Sequence, residues 1–136
     1  MKVFTYNDYL IDLLKGKECI LANDTAADFL GLTNGGYRPA AQIFVLKEQD
    51  IEGTEQIVIP SFQDKEYVEK NGLLCTTVNQ TIIDLLEQEG DEQILTESLS
   101  NYYFENGESF SGLQIPEHVQ KQFDKYSEWA LEYYDE

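Results

Sequence analysis

Two β-rich runs near the middle of the chain, AQIFVLK at 41–47 and QIVIP at 56–60, stand between stretches of helical periodicity on either side. Both runs are short, rich in β-branched and aromatic residues and bounded by turn residues, which is how a strand reads in sequence. TNGGYRP at 33–39 is a turn, because Asn-Gly-Gly takes up positive φ at little cost and Pro39 removes a backbone donor. EQDIEGTEQ at 48–56 is an acidic loop with a glycine, and such a loop between two strands predicts an antiparallel hairpin. Helices before and after a small sheet define the α+β class. The expectation is a small, mostly antiparallel sheet packed with four to five helices.

The helices are legible from start and stop signals. Thr5 with Asp8 forms a capping-box pattern ahead of Tyr6, Tyr9, Leu10, Leu13 and Leu14, and Gly16 stops the run. A short apolar run at 19–21 precedes a second helix that starts at Asn23 or Asp24, carries Ala26, Ala27, Phe29 and Leu30, and ends at Gly31. SFQDKEYVEKNG at 61–72 is polar and gives at most one short helical turn, whereas LLCTT at 73–77 reads as a brief strand. Thr77 with Gln80 caps a third helix whose buried face is Ile82, Ile83, Leu85 and Leu86, stopped at Gly90. A fourth begins at Asp91 and Glu92, favourably placed at a positive helix end, and runs to Gly107. After the loop GESFSGLQI, Pro116 suits the first turn of a fifth helix with the stripe Val119, Phe123, Tyr126, Ala130 and Tyr133.

Length and composition fit this reading. The chain has 136 residues, 42% of them hydrophobic, with seven Phe, nine Tyr and one Trp, enough for the core of one folded domain over 1–136. Charge is the unusual quantity: 26 acids against 9 Lys and Arg, a formal −17. Residues 1–70 hold 12 acids and 7 bases, residues 71–136 hold 14 and 2, and from 71 to 120 there is no Lys or Arg at all. Such a field repels nucleic acid and anionic membranes and attracts basic partners, so direct nucleic-acid binding is not expected. No run reaches the length of a membrane span and the N-terminus, with Asp8 and Asp12 among its apolar positions, does not read as a signal peptide. Two isolated thiols, Cys19 and Cys75, suit a reducing cytoplasm.

No constellation for catalysis emerges. His118, the one histidine, lies between Glu117 and Val119 and reads as solvated. No Ser or Cys has a nucleophile context, no glycine-rich phosphate loop is present, and Cys19, Cys75 and His118 lack metal-ligand spacing. EQEGDEQ at 87–93 lacks the alternation of a calcium loop and reads as solvated helix ends. The expectation is therefore no enzyme, no cofactor and no metal. Aromatics beside acids, YYF at 102–104 and EWALEYYDE at 128–136, offer something else. Helical neighbours differ by about 100°, so these rings cannot all face inward, and those left outside form a surface for a basic protein. Its candidate residues are Glu105, Glu108, Glu128, Glu132, Tyr134, Asp135 and Glu136.

Three stretches resemble the AbiEi-family antitoxins. ILANDTAADFLGLTNG is similar to their small-residue helix and apolar-Gly-Leu turn, and NYYFENGESFSGLQIP with WALEYYDE to the tail of short members. NGLLCTTVNQTIIDLLE resembles their strand-cap-helix element, matched at Thr76, Thr77, Val78, Asn79, Gln80, Thr81 and Asp84, with Gln80 where the family usually has Arg. The resemblance covers about 18–136 and leaves too few residues before it for the winged helix that family members often carry. It implies an antitoxin that opposes a nucleotidyltransferase-type toxin. The charge points to an alternative, a phage or mobile-element inhibitor that mimics nucleic acid against a basic nuclease. A chain of −17 carries the charge of about 29 Å of duplex.

Overall fold

The computed structural model describes residues 5–33 and 40–133, the last of these by its backbone. Five helices and a five-stranded sheet form the α+β arrangement: α1 Tyr6–Leu14, β1 Ile20–Leu21, α2 Asn23–Phe29, β2 Ala41–Val45, β3 Thr54–Val58, β4 Tyr67–Lys70, β5 Leu73–Thr76, α3 Val78–Gln88, α4 Glu92–Glu105 and α5 Gln120–Tyr133. The turn expected over 33–39 lies, from residue 34 on, outside the described residues, as do Tyr134, Asp135, Glu136 and the Tyr133 side chain.

Three of the five helices start at their capping signals, whereas Pro116, expected in the first turn of α5, precedes a short 3-10 turn, Glu117–Val119, that leads into it. The Thr5 hydroxyl accepts from the Asp8 N–H and the Asp8 carboxylate accepts from the Thr5 N–H, a complete capping box. Thr77 and Asp91 cap α3 and α4 in the same way from one side. Helix α2 has no such cap: its N-cap position is Ala22, and Asn23 takes a left-handed φ of 49°.

The sheet order is β3-β2-β1-β5-β4, and two expectations need correction here. First, β2 and β3 pair in parallel, Ala41 opposite Thr54 through Val45 opposite Val58, not as an antiparallel hairpin. Residues 46–53 run back along the sheet instead of reversing at its end. Gln49 fixes that path: its N–H donates to Gln56 Oε1 (2.8 Å), Gln56 Nε2 donates to its carbonyl (2.8 Å), and its own Nε2 donates to the Glu18 carbonyl (2.7 Å). Second, the sheet is mixed, not mostly antiparallel, with β1 antiparallel to β2 but parallel to β5. Strand β4, unread in sequence, pairs antiparallel with β5 across Asn71 and Gly72, at φ 53° and 85°, the positive pair of a tight hairpin turn.

One sheet face, carrying Leu21, Ala41, Ile43, Val45, Leu73 and Cys75, packs on α1 and α2. The opposite face carries Ile20, Ala22, Phe44 and Ile59 with the half-buried Ile57, Phe62, Tyr67 and Leu74. A third core joins α2 to α3, α4 and α5 through Ala27, Leu86, Leu95, Leu99, Tyr126 and Ala130. Ile83, expected on the buried face of α3, is only half-buried. Because β1 and β5 are parallel and lead into α2 and α3, both helices start at one end of the sheet. A cleft opens there.

Candidate functional site

Asp84 sits in the middle of α3 at 3% exposure, a carboxylate taken almost wholly out of water. Lys65, from the segment before β4, donates to its Oδ1 at 2.7 Å, and Gln80, one helical turn earlier, donates to the same oxygen at 2.9 Å. Burial is the largest influence on this group and holds its pKa above the ordinary aspartate value, against the opposing effect of Lys65 and Gln80. Asp84 Oδ2 is buried with no hydrogen-bond partner.

Of the six residues matched with Asp84 in sequence, Thr76, Thr77, Gln80 and Thr81 form one network with it. The Thr77 hydroxyl accepts from the Gln80 N–H (3.2 Å) and donates to the Glu66 carboxylate (2.7 Å), while Gln80 Oε1 accepts from the Glu66 N–H (3.1 Å). Thr81 meets the Thr76 hydroxyl at 2.6 Å and donates to the Thr77 carbonyl at 2.7 Å. The strand-cap-helix element thus ties β5, α3 and the entry to β4 together, and it delivers Asp84 to the cleft.

That cleft has a volume of about 210 Å³. Phe44, Ile57 and Ile59 supply an apolar wall, Asn23 and Asp84 the buried polar groups, Lys65 a half-buried one, and Glu87 and Gln88 the exposed rim. Lys65 Nζ lies over the Phe44 ring, 4.8 Å from its centre. Asn23 is 1% exposed, and neither its amide nitrogen nor its amide oxygen has a partner. A buried amide normally finds partners, so the unpaired Asn23 side chain is a cost that structure alone does not offset. Sequence reasoning placed Asn23 at a helix start without assigning it a role, and it missed Lys65 and Phe44. The one available signal was Asp84 itself, an acid set directly before Leu85 and Leu86 on an apolar helix.

The acidic candidates lie elsewhere. Glu105 ends α4, Glu108 follows in the next turn at φ 59°, and Glu128 and Glu132 stand one turn apart on α5. All four are exposed, and none makes an ion pair among the described residues. Their chain neighbours Phe104 (45%), Trp129 (40%) and Leu131 (38%) are unusually exposed for large apolar side chains. Of YYF, Tyr102 is buried, Tyr103 half-buried and Phe104 exposed, as helical geometry requires. Lys125 rests 5.0 Å from the centres of both the Tyr126 and Trp129 rings. His118 is largely exposed and touches Glu87 at 3.3 Å. Among the described residues no group of three or more His, Cys, Asp and Glu side chains converges on a metal position, and no helix is long and apolar enough to cross a membrane.

No family model matches the chain, and no curated protein or solved structure does either.

Proposed function

We propose that this protein is a non-enzymatic, cytoplasmic interaction domain that binds a basic protein, in the manner of an antitoxin opposing a nucleotidyltransferase-type toxin. The observation behind this reading is that α4 and α5 expose Glu105, Glu128 and Glu132, none of them in an ion pair among the described residues, beside the exposed large apolar side chains Phe104, Trp129 and Leu131. Aromatic anchors ringed by charge are the usual composition of a protein-binding hot spot, and acids speed encounter with a basic partner. The strand-cap-helix resemblance adds the identity of the partner class. Gln80 stands where the family usually has Arg, and here it bonds Asp84 and Glu66 within the chain.

Co-expression with a nucleotidyltransferase-type toxin tests the proposal. Growth is expected to recover, and Trp129→Ala combined with Glu128→Lys and Glu132→Lys is expected to abolish recovery while the protein still folds. Equal toxicity with and without this protein overturns the antitoxin reading. Inhibition of a basic nuclease, relieved by added DNA, would instead establish the nucleic-acid mimic that the charge of −17 also favours.

A further inference from the structure

We propose that the cleft between α3 and the sheet receives the guanidinium head of an arginine side chain from a basic protein partner. The inference deepens the reading above and rests on it only for the source of the arginine. Three buried polar atoms there have no partner: Asp84 Oδ2, Asn23 Oδ1 and Asn23 Nδ2. Two are acceptors awaiting an N–H, and a planar guanidinium supplies several N–H donors from one rigid group. A buried polar atom left alone costs free energy, so a ligand that pairs these atoms recovers free energy the free protein lacks.

Charge agrees with this choice. Lys65 faces two acids in the lining, Asp84 and Glu87, so the cleft is net negative within a chain of −17. The apolar wall of Phe44, Ile57 and Ile59 suits the methylene stem of arginine and the weakly hydrated face of its head. Size limits the occupant as well. Sites for drug-sized ligands run roughly 300–1,000 Å³, and about 210 Å³ fits a side chain better than a cofactor. Asn23 Nδ2 needs an acceptor, which a peptide provides in its carbonyls and a bare guanidine does not.

The test is an NMR titration of ¹⁵N-labelled protein with N-acetyl-L-arginine N-methylamide, reading the Asn23 side-chain amide and the Phe44 and Lys65 backbone amides. Saturable shifts confined to the cleft are expected, with a dissociation constant on the order of 1 mM for a single side chain. The neutral isostere N-acetyl-L-citrulline N-methylamide should bind at least about tenfold more weakly, a 1.4 kcal/mol difference. Asn23→Ala and Glu87→Gln should each weaken binding several-fold, and both remain informative if Asp84→Asn fails to fold. Shifts that never saturate, that citrulline reproduces, or that spread over Glu105, Glu128 and Glu132 overturn the proposal. Equal binding of the capped lysine analogue overturns the guanidinium assignment, and tenfold tighter binding of free L-arginine overturns the partner as its source. Because the titration uses no toxin, a failed co-expression and an empty cleft are separate results.

Discussion

At the scale of single residues, Asp84 and Lys65 decide how much the cleft costs the fold. Removing the half-buried Lys65 leaves the buried Asp84 charge without compensation, so Lys65→Met should destabilise the protein by about 3 kcal/mol in urea unfolding. The double change Lys65→Met with Asp84→Leu should recover most of that loss, since no charge then remains buried. The direction of the Asp84 pKa adds a pH signature. A carboxyl held above its ordinary value binds its proton more tightly folded than unfolded, so its contribution is fully present in acid and is lost as pH rises through the raised pKa. Urea midpoints of wild type and Asp84→Asn should therefore diverge between acid and neutral pH, with wild type losing ground as pH rises. Of this site, Thr77, Gln80 and Thr81 were legible because caps have a local spacing rule. Lys65 was not, because it reaches Asp84 across 19 positions from a polar segment without periodicity.

At the scale of elements, the caps and the loop after α4 are the places where small changes should register. Thr77→Ala removes both the α3 cap and the link to Glu66, and should cost about 1–2 kcal/mol in thermal or urea unfolding. Gly112 is a different case: the Tyr102 hydroxyl stands where a Cβ would go. Gly112→Ala must shift the Tyr102 hydroxyl or move the loop, at about 1–3 kcal/mol. That loop is anchored through Phe110, whose ring lies 5.0 Å from that of Tyr103 and 5.4 Å from that of Phe123. Helices were legible throughout, since each has a stop or cap signal and an apolar period. Strand direction was not, because β2 and β3 would look the same in either orientation. Their parallel pairing is set by the return path that Gln49 and Gln56 clip, a contact with no sequence period. Strand β4 was missed although Asn71-Gly72 marked its turn, because YVEK exposes both faces at this sheet edge and lacks alternation.

At the scale of the whole molecule, alkali should unfold the protein earlier than its net charge alone would. Burial lifts the Cys19 thiol to about 11 and the Cys75 thiol to about 12, while burial and the nearby Glu92 and Glu89 lift the Tyr126 hydroxyl to about 12. These groups keep their protons when folded and release them near their ordinary values when unfolded, so stability is full below those values and falls as pH rises through about 9 to 12. Urea midpoints should drop steeply over that interval, and Cys19→Ala with Cys75→Ala should flatten part of the drop. Both thiols should resist alkylation until the chain unfolds, since the thiolate is the reactive form. Finally, the centre of the sheet is its shortest strand, the two-residue β1, whose partners lie at 43–44 and 74–75. A polypeptide emerging from the ribosome therefore leaves one edge of Ile20 and Leu21 unpaired until residue 76 has cleared the exit. Nascent fragments ending before β5 are the species that chaperones and proteases should meet.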